Sequence, residues 1–336
     1  VDFKVAKAST AKPSGDSYWI VPPGGTKKVR YRRVSGFIEV LDDKTNLAKR
    51  DKRYVGYGVA TNPQLAQAIA NMDVEEDKWE LDKTIERAAR KAGVWAKADY
   101  GTAGHALSED FDAGHNIFTK TPPETPAVSE LKWGPKDALM ENWSHLKRDL
   151  QAYAALVEAY EITYSKVEAT VVLDEYHVAG TLDRLGSIGN FRKMPAAPGP
   201  NVMDLKFGSV DFGRMTKPLQ FRCYSAGVLY NHETHERKSH GGNPDVAYVI
   251  HVPMGQGRAT LIPLDLTQAA KRLELCHQVW QARKEDDINE WVPFGSEEWL
   301  SERIAASKTE KELEALYLRT QSLWTEDHVN QAKEKF

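Results

Sequence analysis

The sequence predicts an α/β fold in which a central mixed β-sheet is flanked by helices, with helical extensions at both ends. Three observations predict it. Between residues 135 and 160 the apolar residues Ala138, Leu139, Trp143, Leu146, Leu150, Tyr153, Ala154 and Val157 recur at steps of three and four, which is the period of a helix. From Thr163 to Phe207 the pattern changes to short segments rich in β-branched residues, separated by turn chemistry such as Gly189-Asn190 and the run PAAPGPN. From Thr267 onward the pattern is helical again. The order helices, strands, one helix, strands, helices fits a mixed sheet covered by helices better than a repeating βαβ unit.

Taken in order, the first thirty residues, including SGDSYWIVPPGG, read as an irregular arm. Asp43 and Thr45 are each placed to cap a helix running through Lys49 to Gly58. Asn62-Pro63 opens a second helix through Met72, since proline suits a first helical turn, and Asp77 or Asp82 precedes an alanine-rich helix ending near Gly93. A further helix runs from about Tyr100 past Glu109. His115 to Trp133 contains TPPETP and reads as a surface loop, because proline continues neither helix nor sheet. The helix of residues 135–160 comes next. Three strands follow, Thr163 to Leu173, His177 to Ile188 and Asn201 to Phe207. A helix from Lys217 or Pro218 to about Tyr230 leads to the polar loop HETHERKSHGGNPD, read as mobile or DNA-facing. Two strands, Val246 to Val252 and Ala259 to Pro263, are joined by the turn PMGQG. Trp280, Trp291 and Trp299 mark where the last helices pack. The expected division is an N-terminal arm and helical extension over 1–94, a core over 95–265 and a C-terminal helical region over 266–336.

Composition narrows the class. The 336 residues are 41% hydrophobic and 28% charged, ordinary usage for a globular chain. No stretch reaches the roughly 18 apolar residues of a membrane span, and residues 1 to 30 hold no apolar run of signal-peptide length, so a cytoplasmic protein without a membrane partner is expected. Cys223 and Cys276 sit among apolar helical neighbours and read as buried thiols. Two thiols cannot hold a four-cysteine iron–sulfur cluster or zinc site. The formal net charge is -3, but from Lys27 to Arg53 ten lysines or arginines face four acids. That run is either a solvated face or, if a phosphate backbone is the partner, part of its binding surface.

The chemistry concentrates in the strands. Asp204 and Lys206, in NVMDLKFG, are two apart and project from one face of a strand. Asp183, in AGTLDRLG, lies on the preceding strand, and a hairpin brings it beside Asp204. Two converging carboxylates repel unless a cation lies between them, and hard oxygen ligands with room for water select magnesium or manganese. Such a cation lowers the pKa of a bound water and neutralises charge on a phosphate, while Lys206 orients the water and stabilises the transition state. A salt bridge on a surface strand is the plain alternative for D-L-K. Gln220 and Tyr224, four apart in KPLQFRCY, share a helix face. They either hold Lys206, a water or the DNA backbone, or satisfy each other in the interior. His105, in YGTAGHALSED, precedes the carboxylate strands on a helix and is placed to give the same metal a nitrogen ligand, with Glu109 one turn later orienting it. Glu168 is read as a residue behind the site that braces Arg184. The chain has no phosphate-binding P-loop, no G-x-S-x-G elbow and no H-E-x-x-H or cysteine zinc signature.

The series G-T-x-x-H-x-x-x-E, a glutamate at a strand start, G-T-x-D-R, D-L-K and Q-x-x-x-Y resembles the PD-(D/E)xK nuclease superfamily, in particular its RecB-like branch and related phage exonucleases. The resemblance covers about residues 95 to 265 and rests on five motifs in order. It implies a restriction-endonuclease-like core, with His105, Asp183 and Asp204 as ligands of one or two Mg2+ or Mn2+ ions, Lys206 as catalytic lysine, and Gln220 and Tyr224 as the associated helix motif. The implied activity is hydrolysis of DNA phosphodiesters, with exonuclease action at DNA ends in recombination or repair as first choice. An endonuclease or nickase with the same centre, or a non-hydrolysing DNA-end-binding partner of a recombinase, stands as the alternative. Arg184, Arg214 and Lys217 join the basic run as DNA-binding residues, and a recombinase or single-strand-annealing protein is the implied protein partner. Asp204 stands where many members carry glutamate, and the 21 residues from Asp183 to Asp204 suggest a long hairpin with a Pro-Gly tip.

Overall fold

Near-continuous burial of the apolar and β-branched segments between Ile162 and Phe207 makes them adjacent strands covered on both faces, and these form the middle of the sheet in the computed structural model. The structure describes residues 15, 17–191, 197, 199–210, 213, 215–283 and 295–335. The strands are β1 (Ser17–Ile20), β2 (Val29–Arg33), β3 (Ile162–Leu173), β4 (Val178–Ile188), β5 (Asn201–Phe207), β6 (Val228–Tyr230), β7 (Arg237–Lys238), β8 (Val246–Val252) and β9 (Thr260–Asp265). The helices are α1 (Val34–Ile38), α2 (Thr45–Ala60), α3 (Pro63–Ala70), α4 (Lys78–Lys91), α5 (Ala96–Asp112), α6 (Pro126–Ser129), α7 (Trp133–Glu141), α8 (Trp143–Ala159), α9 (Thr216–Ala226), α10 (Thr267–Ala282), α11 (Glu297–Ala306), α12 (Glu310–Thr320) and α13 (Glu326–Lys335). No helix among the described residues is long and apolar enough to cross a membrane.

The sheet runs β7-β6-β3-β4-β5-β8-β9 and is mixed. Strands β5 and β8 are parallel, and the other neighbours along that path are antiparallel. One face is covered by α1, α9 and α10, whose Phe37, Leu219, Phe221, Leu273 and Cys276 pack on Val171, Leu182, Val202 and Val249. Against the other face α8 places Tyr153, Leu156 and Val157 on Val167, Met203, Leu205 and Ile250. Helices α5, α7 and α8 extend that layer through Tyr100, Leu107, Leu139 and Leu146. Both cysteines are free and buried.

Several elements differ from expectation for identifiable reasons. The helix expected from 135 to 160 is two helices, α7 and α8, broken at Asn142, whose φ of -114° and ψ of 19° leave the helical region while its side-chain amide bonds Ala138 O at 2.9 Å. The helix expected to reach Tyr230 stops at Ala226, because Gly227 turns extended and lets Val228–Tyr230 pair with β3. The supposed irregular arm contains the hairpin β1–β2, and Arg32 and Arg33 of β2 pair in parallel with Val178 and Ala179 of β4. The loop His232 to Asp245 is pinned: His232 Nε2 lies 3.0 Å from Thr170 Oγ1, and His240 Nε2 lies 2.9 Å from Tyr224 O.

The described residues up to Trp280 form one compact unit and those from Gln281 a second. The division expected at 265/266 falls later, since Leu266, Ala269, Leu273 and Cys276 are buried in the sheet's own core. The second unit holds α11 to α13 around the buried Leu300 and Ile304, with Ser296 and Thr309 capping α11 and α12 through Trp299 N and Glu312 N. Trp291 lies outside the described residues.

A buried carboxylate fixes the turn between β8 and β9. Asp149 of α8 is fully buried and accepts hydrogen bonds from Gly255 N at 2.6 Å, Gly257 N at 2.7 Å and the Tyr100 hydroxyl at 2.7 Å. Its replacement leaves three donors unmet, each tied to a charged acceptor. Asp149→Ala is expected to lower the unfolding free energy by about 3 kcal/mol, read from urea denaturation with the slope unchanged.

Candidate active site

Strand β4 has a continuous partner on one edge only. On that edge β3 pairs with it from Val178 to Ile188, whereas on the other β2 covers Val178 and Ala179 and β5 covers Arg184 to Gly186. Residues 180 to 183 lie in the fork where β2 and β5 separate. Continuing the antiparallel register of Arg184 with Met203 by one step sets Asp183 across from Asp204. With the ladder interrupted there, Asp183 Oδ2 accepts the amide of Leu205 at 3.3 Å and so replaces a missing strand partner.

The fork collects the proposed reactive side chains. His105, on α5, has Nδ1 3.7 Å from Asp183 Oδ2. Lys206 Nζ donates to Asp204 Oδ1 at 2.9 Å and lies 2.8 Å from Oδ2. That second oxygen is sealed from solvent and accepts no hydrogen bond in proper geometry. Two close approaches need glycine. A Cβ at Gly180 would stand 2.7 Å from Cε1 of Tyr224, and one at Gly104 would stand 2.6 Å from the ring of Phe207, which packs edge-on against His105. Gln220 Nε2 and Tyr224 Oη are 3.4 Å apart on α9, and Tyr224 is buried.

Burial and mutual charge set the protonation pattern. Burial pushes the Asp204 carboxyl up to about 7, the charge of Asp183 adds to the rise, and Lys206 partly offsets it. For Asp183 burial also pushes upward, but His105, Lys206 and Arg184 outweigh it and hold the carboxyl below its ordinary value. Burial brings His105 down to about 4, with Lys206 and Arg184 adding to the drop, so the imidazole is neutral at pH 7. Burial disfavours the Lys206 ammonium, yet Asp204, Asp183 and Glu168 more than restore it. Burial keeps the Tyr224 phenol protonated.

The other expected residues are distributed as follows. Glu168 stands opposite Asp183 by the register that pairs Val167 with Arg184 and Ala169 with Leu182. It holds a left-handed φ of 50° inside a strand, a conformation costing roughly 1 kcal/mol for a side chain with a Cβ and one that collects at functional sites. Its charge acts on Lys206. Glu109 is partly buried one helical turn beyond His105. Lys217, in the first turn of α9, directs Nζ toward Val210 O at 3.4 Å. Arg214 lies outside the described residues.

The expectation that Arg184 contacts DNA is corrected. Its side chain is 0% exposed and lies under the sheet, with Nε donating to Asp112 Oδ2 at 2.7 Å and to the Tyr153 hydroxyl at 3.1 Å, and Nη2 donating to Ser108 Oγ at 2.8 Å. The even-numbered residues of β4 change face at Asp183, since Val178 and Leu182 pack on the α9 side whereas Arg184 and Ile188 face α8, and Glu168 opposite holds a left-handed φ of 50°. Sequence reasoning missed this network. A signal was present, because Ser108 and Asp112 are four apart on the helix of His105 and so share a second polar face.

Asp204 is turned toward Lys206, and among the described residues no three His, Cys, Asp or Glu side chains stand as a finished metal cage. The donor chemistry nonetheless fits a hard divalent cation: one carboxyl held below its ordinary value, a second raised by burial, and a neutral imidazole. Comparison with protein-family models and with curated proteins gives no match to this chain.

Two expected outcomes follow from the electrostatics. With folded pKa values of about 7 at Asp204 and about 4 at His105, against ordinary values of 3.8 and 6.5, the two groups act oppositely. As pH falls from 7 toward 4, the folded protein gains a proton at Asp204 that the unfolded chain does not take, which is stabilising. Between 6.5 and 4 the unfolded chain gains one at His105 that the folded protein refuses, which is destabilising. In Asp204→Asn only the second effect remains, so its stability relative to wild type should fall on acidification by up to about 1.4 kcal/mol per pH unit. His105→Gln should show the opposite slope. Urea denaturation at pH 4.5, 5.5 and 6.5 in chelator reads both, and parallel curves for both variants would contradict the assignment. Arg184→Ala strands Asp112 as an unpaired buried charge and is expected to cost about 3–5 kcal/mol by the same measurement.

Proposed function

We propose that this chain is a metal-dependent DNA nuclease of the PD-(D/E)xK type, acting as an exonuclease on DNA ends. The observation that carries the reading is the meeting of His105, Asp183, Asp204 and Lys206 in the fork between β2 and β5, on a sheet whose order brings the five sequence motifs to one place. His105, Asp183 and Asp204 would hold Mg2+ or Mn2+, which when bound supplies Lewis acidity toward a phosphodiester oxygen and toward water.

The chain's own residues have separable tasks. Asp183, ionised at neutral pH, and the neutral His105 present lone pairs on the same side of the fork. Asp204 holds Lys206 by its carboxylate and keeps the ammonium charged beside the reacting phosphate. From there Lys206 orients the attacking water and stabilises charge gathering on the phosphate oxygens. Tyr224, protonated and braced by Gln220, offers a hydroxyl at the rim of the same fork. Exposed Lys27, Lys28, Arg30, Arg33, Lys44, Lys49, Lys52 and Arg53 provide basic surface for a phosphate backbone.

Incubation of end-labelled linear duplex and covalently closed circular DNA with Mg2+, Mn2+ or chelator tests this reading. Linear DNA is expected to be degraded with either ion and spared with chelator, and closed circles are expected to survive. Lys206→Ala should reduce the rate by roughly 100- to 1,000-fold. Failure to cut either substrate sinks the nuclease reading, while cutting of circles removes only its exonuclease part.

A further inference from the structure

Lys206 and a divalent cation ask for the same edge of one carboxylate. The ammonium stands 2.9 Å from Asp204 Oδ1 and 2.8 Å from Oδ2, astride both oxygens. A cation binding Asp204 needs lone pairs on those oxygens and repels the ammonium that occupies them. On the nuclease reading Lys206 therefore has to give Asp204 up. Its side chain is only 33% exposed, so bulk water does not replace the lost counter-charge. An ammonium stranded in that way is costly, and burial pushes it toward the neutral form. It needs a second carboxylate.

The register of β3, β4 and β5 sets Glu168, Asp183 and Asp204 side by side on three neighbouring strands. All three act by charge on Lys206. Asp183 accepts the amide of Leu205, faces His105 at 3.7 Å and is itself assigned to the ion. Glu168 is the acid of the three that the metal centre does not claim. Nor does Arg184 take it, because that guanidinium finds its hydrogen-bond partners in Asp112, Tyr153 and Ser108.

The backbone at Glu168 is where β3 turns its side chains over. Residues two apart on a regular strand share a face. Val167 nevertheless packs in the cluster built on α8, and Ala169 in the one built on α9 and α10. Glu168 stands at the change with its φ of 50°, and β4 changes face opposite it, at Asp183. Irregularities of this kind collect beside active sites, where they re-aim a side chain, and the strain persists because the surroundings fix it.

We propose that Glu168 is the carboxylate that receives Lys206 when Asp204 turns to the ion. The inference rests on the nuclease reading. It makes Glu168 a positioning residue that acts through Lys206 and touches neither ion nor phosphate. The four-carbon stem of lysine lets the ammonium pass between carboxylates of adjacent strands without backbone movement. Lys206 thus stays charged while both oxygens of Asp204 are released.

Titration calorimetry with Mn2+ alone, at neutral pH and without DNA, reads this exchange without any cleavage. Glu168→Gln removes the second counter-charge and keeps Lys206 on Asp204, so Mn2+ affinity is expected to fall roughly ten-fold. Lys206→Met leaves Asp204 uncontested and should bind Mn2+ more tightly than wild type. Adding Glu168→Gln to Lys206→Met should then change the affinity by less than about two-fold, since no ammonium remains to be received. Glu168→Asp keeps the charge and tolerates the left-handed backbone, so it should bind Mn2+ more tightly than Glu168→Gln. Equal Mn2+ affinity of wild type and Glu168→Gln overturns the inference. A loss that persists in full in the Lys206→Met background also overturns it, because Glu168 would then serve the ion directly. Absence of Mn2+ binding by wild type removes the nuclease reading and the inference together, whereas Mn2+ binding indifferent to Glu168 removes the inference alone.

Discussion

The arrangement depends on one interruption in backbone pairing. Strand β4 is fully paired to β3, but along its other edge β2 leaves after Ala179 and β5 arrives only at Arg184. A buried strand cannot leave its amides and carbonyls unmet without cost, so side chains enter the gap. Asp183 takes the amide of Leu205, and the hydroxyls of Thr181 and Tyr18 meet at 3.0 Å. A place where the ladder opens inside a large sheet is partly enclosed, polar and rigid on three sides. These are the conditions that bring carboxylates, an imidazole and an ammonium within a few ångströms and hold them there.

The electrostatics of the fork follow from burial and from the charges around it. On the site's side, burial alone would neutralise Asp183, Asp204 and Lys206 together. What keeps Asp183 ionised includes the charge of Arg184, which faces α8 and is held by Asp112, Tyr153 and Ser108. The same guanidinium helps hold His105 neutral. A permanently charged residue buried behind the site thus sets its field while making no contact with solvent. Arginine suits that role, because its charge survives burial where that of lysine is readily lost.

Surface chemistry is organised on a larger scale than the fork. The basic run from Lys27 to Arg53 is split between the β1–β2 hairpin, which joins the sheet beside β4, and helix α2. The exposed tryptophans Trp19, Trp79, Trp95 and Trp133 belong to β1, α4, the start of α5 and α7. Helix α5 links these regions, since its first turn meets Arg90 and Gly134 and its middle supplies His105.

Much of this was legible along the chain, because it depends on local periodicity. The strands around Asp183 and Asp204, the shared face of Asp204 and Lys206, the helical step between Gln220 and Tyr224 and the helix of His105 all follow from periods of 2 and 3.6 residues. Their convergence could be anticipated because β4 and β5 are consecutive strands. What distance along the chain conceals was decided by tertiary structure. The hairpin β1–β2 pairs with a strand about 145 residues later in the sequence, and no local signal announces such a partner. The break at Asn142 depends on one side chain competing for a carbonyl. The fate of Arg184 depended on which face of β4 the helices α5 and α8 would cover. By itself, then, the sequence determined which residues share a face within a regular stretch such as Asp204 and Lys206; where β4 changes face between Leu182 and Arg184, which face was buried and where the sheet forked were decided only by packing between distant segments, because burial is a property of the whole assembly of elements.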